Sequence, residues 1–92
     1  AATLGTHLLS GFTAALSALE GVAAIRGRGL MIGIELDRPC AELVARAIEQ
    51  GLLINVTAER VIRLLPPLVI TVKQADIIIE QVSDLIREFL AG

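Results

Sequence analysis

Apolar residues recur along the chain with two different spacings, which predict helices and strands. From Leu4 to Leu19 they lie three or four positions apart, so we predict a helix over residues 3–19 that ends before Gly21. Residues 30–36 alternate between apolar and other side chains, which is the period of a strand. A shorter strand over residues 22–25 precedes it, with a turn at residues 27–29 between the two.

A second helix is predicted after this pair of strands. Pro39 occupies a first helical position, where its missing N–H costs nothing, and an apolar stripe follows it and ends at Gly51. Glu42 and Arg46 are four residues apart in the order that favours an ion pair along a helix.

Two short strands and a third helix complete the pattern. The β-branched runs at 52–56 and 61–65 predict strands, and Pro66–Pro67 prevents the second from continuing as a central strand. Thr71 and Gln74 have the spacing of a capping box, which predicts a helix start. The stripe that this helix buries is Ala75, Ile78, Ile79, Val82, Leu85, Ile86 and Phe89.

The element order αββαββα predicts an α+β fold with a small antiparallel or mixed sheet of about four strands and three helices on one face. Residues 1–92 are expected to form a single domain. The sheet face that carries Leu30 and Ile32 should lie under the helices, and no further element is available for the other face. Gly33 on that other face suggests that something approaches the backbone closely there.

Composition narrows the classes of function. The 92 residues carry a net charge of −2 and only two Phe, with no Trp or Tyr, which argues against a dedicated nucleic-acid binder. A single cysteine cannot form an internal disulfide, which fits a reducing, cytoplasmic compartment, and neither a leader nor a membrane span is recognisable. The mean hydropathy of +0.74 is high for so short a chain, and suggests a missing partner surface.

Arg63 is the strongest candidate for a functional side chain. By strand parity Ile62 and Leu64 point to one face and Arg63 to the other, which is the uncovered face if the aliphatic side chains lie under the helices. A guanidinium group there suits a carboxylate or phosphate, which it can bind through two parallel hydrogen bonds. The alternative is an arginine at a sheet edge that is solvated or paired with an acid such as Glu35.

Residues 26–29, with the sequence RGRG, could cradle an anion, because glycines let backbone N–H groups approach and Arg26 and Arg28 add charge. No helix follows directly, so the segment is neither a phosphate loop nor a dinucleotide fingerprint. The alternative, a hairpin turn with solvated arginines, requires no function.

The remaining reactive side chains form no catalytic centre. His7 is the only histidine, has no clustered acids with which to hold a metal, and is expected to be solvated on the first helix. Cys40 lies near a helix N-terminus but belongs to an apolar stripe, which favours a buried, inert thiol. The only lysine, Lys73, is expected on an exposed helix turn.

Three segments together resemble a known family: IRGRGLMIGIEL at 25–36, GLLIN at 51–55 and VIRLLPPLVI at 61–70. They are similar to the C-terminal small domain of class III pyridoxal-phosphate aminotransferases, and most similar to the enzymes that act on N-acetylornithine. The resemblance extends over essentially all of the chain.

The resemblance implies an amino-group transfer between N-acetylornithine and 2-oxoglutarate in arginine biosynthesis. Pyridoxal phosphate, held on a lysine of a separate large domain, would supply the electron sink. In this family the arginine of the R-x-x-P-P motif binds the substrate carboxylate, and here the matching residue is Arg63. No comparable role is implied for Arg26 or Arg28, and no residue of this chain is expected to be catalytic or to bind cofactor or metal.

Departures from the family pattern leave other interpretations open. The family usually has acids where this chain has Val72 and Lys73, and residues 77–79 are unusually β-branched. The chain could therefore be a stand-alone or engineered non-enzymatic α/β scaffold derived from that domain. Such a scaffold would either self-associate through its open sheet face or carry changes that make it soluble. A third hypothesis is an anion-binding regulatory module that uses Arg28 and Arg63.

Overall fold

The computed structural model describes residues 2–64 and 70–92. The helices and strands follow the predicted order: α1 (Ala2–Leu16), β1 (Val22–Arg28), β2 (Met31–Leu36), α2 (Glu42–Glu49), β3 (Asn55–Thr57), β4 (Val61–Leu64) and α3 (Val72–Ala91). Leu65, predicted to end the fourth strand, and the Pro66–Pro67 stop lie outside the described residues.

The four strands form one antiparallel sheet in the order β1-β2-β4-β3. Strands β1 and β2 form one hairpin, and β3 and β4 form the other. The two hairpins join where β2 pairs with β4, with Ile34 opposite Ile62. The α+β fold predicted from the sequence is confirmed, and the sheet is antiparallel rather than mixed.

The helices cover one face of this sheet. Ile32 and Ile34 of β2 and Ile62 of β4 are fully buried, because alternate residues of a strand point to the same face. They form one apolar cluster with side chains from all three helices, including Leu8, Phe12, Leu16, Leu43, Ala47, Val82, Leu85 and Ile86. The opposite face carries half-buried or exposed residues, namely Met31, Gly33, Glu35, Val61 and Arg63.

The predicted start of α3 is confirmed in detail. The Thr71 hydroxyl accepts a hydrogen bond from the backbone N–H of Gln74 at 3.1 Å, and the Gln74 side chain accepts one from the N–H of Thr71 at 2.9 Å. These two bonds satisfy N–H groups that have no partner inside the helix. The predicted stripe faces the core, whereas Ile77 lies outside it and remains exposed.

The boundaries of α1 and β1 differ from the prediction. The helix ends at Leu16 rather than Leu19, since the chain turns to bring Val22 into the sheet. The strand continues through Arg28 because Arg28 pairs with Met31 of β2. The hairpin turn therefore lies at residues 29 and 30, and Gly29 takes a φ of 61°, which glycine adopts without a steric penalty.

The prediction that Pro39 begins α2 is wrong, because the helix starts at Glu42. The backbone N–H of Cys40 donates to the carbonyl of Glu59 at 2.8 Å, so the β3–β4 turn holds this segment out of the helix. The predicted Glu42–Arg46 ion pair is present at 2.8 Å, and the Arg46 guanidinium also lies 5.9 Å from the centre of the Phe89 ring.

The prediction that His7 is solvated on the first helix is correct only in part, because the side chain has a partner. Its Nε2 atom lies 2.6 Å from a carboxylate oxygen of Asp76, and the His7 side chain is 36% exposed. Since His7 belongs to α1 and Asp76 to α3, this contact joins two helices that pack side by side. The partner could not be read from the sequence because the two residues are 69 positions apart.

The β3–β4 turn stores backbone strain that glycine would relieve. Ala58 and Glu59 have φ values of 51° and 67°, in the left-handed region that side chains with a Cβ disfavour. We expect Ala58→Gly to raise the free energy of unfolding by about 0.5–1 kcal/mol in urea titrations of the 92-residue chain. Ala14→Gly, at an exposed position of α1, is the control and should lower it by about 1 kcal/mol. A loss of stability in Ala58→Gly would contradict this account.

Candidate functional site

The central observation concerns the side chain of Arg63 on β4. Ile62 and Leu64 on either side of it are buried, with relative exposures of 0% and 4%, whereas Arg63 is exposed. The guanidinium group therefore emerges on the sheet face that the helices leave open, as strand parity predicts. This placement makes Arg63 available to a ligand or partner outside the described part of the chain.

Arg63 lies between two shallow cavities on this face. The larger, which we call the open groove, measures about 470 Å³, and its lining includes Arg26, Arg28, Met31, Gly33, Val61 and Arg63. The smaller measures about 350 Å³ and lies toward β3, where Leu53 and Asn55 contribute to its wall. Leu53 is 88% exposed.

The contacts of Arg63 leave its charge without a counterion in residues 2–64 and 70–92. Its Nη2 atom approaches the Met31 sulfur at 2.6 Å, which is a neutral partner. The sequence analysis considers Glu35 as an acidic partner of Arg63. In the structure Glu35 instead accepts a hydrogen bond from Arg26 at 2.8 Å. The interpretation in which Glu35 neutralises Arg63 is therefore wrong, and the guanidinium keeps its free donors for an anion.

Residues 26–29, with the sequence RGRG, form the end of the β1–β2 hairpin. They do not form a phosphate-binding loop by themselves. Gly27 lies inside β1, and a Cβ there would come within 3.1 Å of a methyl group of Leu9, so this glycine serves the packing of α1. Gly29 forms the turn. The structure nevertheless adds something that the sequence analysis missed, since Arg26 and Arg28 line the same groove as Arg63.

Strand register explains this convergence. Arg26 lies opposite Gly33 across β1 and β2, and Gly33 lies opposite Arg63 across β2 and β4. Directly opposed residues of antiparallel strands project to the same face, so the three form one row across the sheet. Alternation along each strand predicts which sheet face a residue occupies. It does not predict which residues of neighbouring strands lie opposite each other, because tertiary pairing sets the register.

Gly33 was predicted to mark a close approach to the backbone. Among the described residues nothing approaches closely, since a Cβ built at this position would find only a methyl group of Val61, at 3.8 Å. The backbone is therefore open between Arg26 and Arg63.

The other candidate side chains lie away from the groove. Cys40 is fully buried, and burial raises the pKa of its thiol above the ordinary value, which keeps it protonated and unreactive at neutral pH. Lys73 is exposed in the first turn of α3. A hydrogen bond of 2.7 Å from Arg38 lowers the pKa of the exposed Asp37 carboxyl, and neither residue lines the open groove.

The described residues form neither a metal site nor a membrane span. No cluster of three or more His, Cys, Asp or Glu side chains in residues 2–64 and 70–92 could hold a metal ion. In the same residues, no helix combines the length and the apolar character that a bilayer crossing requires.

Comparison with known families identifies the chain. The family model described as aminotransferase class III matches residues 1–86. The chain belongs to the class III aminotransferases. This confirms the family resemblance carried by the motifs around Gly33 and Arg63.

Two curated class III relatives illustrate the similarity. The chain is 53% identical over 88 residues to acetylornithine aminotransferase 1 of Bordetella bronchiseptica. The aligned region covers 96% of this chain and 22% of the relative. It is 46% identical over 90 residues to the acetylornithine aminotransferase of Nitrosomonas europaea, covering 98% of this chain and 23% of the relative. The chain thus spans about a fifth of the length of the curated relatives it matches.

Solved structures of class III aminotransferases share the fold. An ornithine aminotransferase from Plasmodium yoelii superposes with a TM-score of 0.87 at 30% identity, over 97% of this chain and 24% of that one. An acetylornithine aminotransferase from Elizabethkingia anophelis gives a TM-score of 0.80 at 29% identity, over 95% of this chain and 23% of that one. The helices and sheet described above are therefore a recurring part of larger aminotransferases.

Proposed function

We propose that this chain is the C-terminal small domain of an acetylornithine aminotransferase. The complete enzyme transfers an amino group between N-acetylornithine and 2-oxoglutarate in arginine biosynthesis, in the cytoplasm. Residues 1–92 form a single domain of it and are not catalytic alone. The names of the curated relatives support the substrate, and the observation that carries the proposal is the guanidinium of Arg63 on the open sheet face without a carboxylate partner in the described residues.

Arg63 is proposed to bind the carboxylate of the substrate. Its planar group can offer two parallel N–H donors to a carboxylate, which sets the orientation of the ligand as well as its affinity. The rigid backbone of β4, held by β2 and β3 on either side, fixes the base of the side chain. Arg63 is thereby a substrate-binding residue, and proton transfer belongs to residues outside this chain.

Pyridoxal phosphate, when bound to the complete enzyme, supplies the electron sink for amino-group transfer. The residues of this chain do not fit that cofactor by themselves. The group requires a lysine beside the substrate, and the only lysine here is Lys73, exposed on α3 and absent from the lining of the open groove. We therefore assign the cofactor site to the large domain of the enzyme.

The open sheet face supports the large domain as the partner of this chain. Leu53, at 88% exposure, stands beside Arg63 with little of its apolar surface covered. Exposed apolar surface of this kind is buried when a second body of protein packs against it. In the absence of that domain the same surface would favour self-association of the 92-residue chain.

An activity assay tests the proposal. We expect the complete polypeptide that contains these residues, loaded with pyridoxal phosphate, to transfer the amino group of N-acetylornithine to 2-oxoglutarate. Ornithine and succinylornithine serve as competing donors that define the preferred substrate. The 92-residue chain under the same conditions should show no turnover, because its only lysine, Lys73, does not line the cavities beside Arg63. Turnover by this chain alone would contradict the assignment.

The same measurements address the alternative of a non-enzymatic scaffold. A scaffold derived from this domain requires neither cofactor nor substrate. Transfer activity in the complete polypeptide would exclude it, whereas an inert polypeptide with the fold intact would favour it.

A further inference from the structure

Gly33 has a position in the open groove that the packing of the described residues does not explain. It lies between Arg26 and Arg63 in one row across the sheet, each of them directly opposite it in the register. Neighbouring strands are about 4.8 Å apart, so the backbones of the two arginines are separated by about 10 Å, with only a glycine between them. Within residues 2–64 and 70–92, nothing fills this gap on the uncovered side of the sheet.

Neither of the usual reasons for a glycine in a strand applies here. The backbone of Gly33 lies outside the left-handed region, so any residue could adopt its conformation. Nor is the space occupied in the described residues, since an added Cβ would meet only a Val61 methyl group at an ordinary contact distance of 3.8 Å. Glycine in a strand interior also weakens the strand compared with alanine. No contact or backbone conformation in residues 2–64 and 70–92 therefore requires a glycine here, and an occupant of the gap would account for it.

Charge indicates what that occupant is. Arg26 is already paired with Glu35, whereas Arg63 and Arg28 have no carboxylate partner within the described residues. The groove therefore carries positive charge on a chain whose net charge is −2. A small ligand with a carboxylate group matches both the charge and the narrow gap, since an apolar protein surface would leave the guanidinium of Arg63 unpaired.

We propose that Gly33 is a specificity-determining residue: its missing side chain leaves the space through which the carboxylate end of the substrate reaches Arg63. The inference rests on the proposed function and extends it to a second residue. The guanidinium of Arg63 contacts Met31, two residues before Gly33 on the same strand, so a side chain at position 33 would narrow the space through which a ligand approaches it. The substitution should therefore weaken binding of carboxylate ligands without weakening the fold.

The test uses the complete enzyme with Gly33→Ala and Gly33→Val. We expect Gly33→Val to raise the KM for 2-oxoglutarate about tenfold or more, with a smaller change in kcat, because bulk in a fitted site acts first on binding. The Kd of glutarate, measured by calorimetry, should rise in parallel. The Tm should stay unchanged or increase slightly, since the strand gains a residue that suits it.

Two comparisons make this interpretation specific. Ala23→Val adds bulk at an exposed position of β1 outside the open groove and should leave KM and the Kd of glutarate unchanged. In the double variant Gly33→Val/Arg63→Ala, the second substitution should add little to the loss caused by the first, because both act on the same carboxylate.

Three outcomes would overturn the inference. If Gly33→Val binds glutarate like the parent while Arg63→Ala does not, Gly33 has no role and the proposed function stands. If Arg63→Ala also binds normally, both fail. If Gly33→Ala lowers the Tm by many degrees, protein rather than ligand covers Gly33; this smaller variant keeps the test decisive where Gly33→Val fails to fold.

Discussion

Replacing Arg63 by alanine in the complete enzyme is expected to lower kcat/KM by about 30-fold to 5,000-fold, which corresponds to about 2–5 kcal/mol of transition-state stabilisation. The loss is large because the substrate carboxylate would lose both hydrogen bonds of a planar, charged partner. Steady-state kinetics with N-acetylornithine and 2-oxoglutarate measure it. An unchanged kcat/KM would remove Arg63 from the mechanism.

Two further variants separate geometry from charge. Arg63→Lys keeps the positive charge but loses the two parallel donors, so we expect only part of the activity to return. Arg28→Ala removes a charge from the same groove at a position to which the family resemblance assigns no role. Its effect should be less than a tenth of that of Arg63→Ala. Equal losses in both variants would mean that the groove attracts anions without orienting them.

Replacing Gly5 by alanine is expected to lower the free energy of unfolding of the 92-residue chain by up to about 2 kcal/mol, the balance of about 1–3 kcal/mol of overpacking and the helix propensity of alanine. Gly5 is buried in α1, where a Cβ would overlap the backbone carbonyl oxygen of Gly29 in the β1–β2 turn. A backbone atom cannot rotate away, so the helix and the hairpin would have to separate. This strain exceeds the gain of about 1 kcal/mol that alanine brings to a helix.

Gly11→Ala in the same helix is the matched control. A Cβ at this position would meet the end of the Ile79 side chain, which can change its rotamer. The substitution should therefore be neutral or stabilising by up to about 1 kcal/mol. Denaturant unfolding of both variants tests the contrast, and a stabilising Gly5→Ala would show that α1 does not pack closely on the hairpin.

Local sequence rules were sufficient where neighbouring residues decide the conformation. The capping box of Thr71 and Gln74 placed the start of α3 correctly because both partners lie within one helical turn. Strand parity placed Arg63 on the open face because the burial of Ile62 and Leu64 follows from alternation along one strand. In both cases the determining contacts are a few residues apart.

The same rules failed where distant segments compete for a backbone group. Pro39 is a suitable first helical residue, yet the N–H of Cys40 bonds to Glu59 and delays α2 to Glu42. The strand predicted over residues 52–56 is reduced to Asn55–Thr57, since the N–H of Leu52 bonds instead to the carbonyl of Ala47. These hydrogen bonds depend on packing, which outweighs local propensity.

The sequence by itself therefore determined the order of the elements, the covered face of the sheet and the exposure of Arg63, because hydrophobic periodicity is a property of each segment alone. Only the tertiary structure decided that Arg26, Gly33 and Arg63 form one row and that Glu35 pairs with Arg26. The physical reason is that strand order and register arise from pairing between segments far apart in the chain, and a shift of one residue would send these side chains to the opposite face.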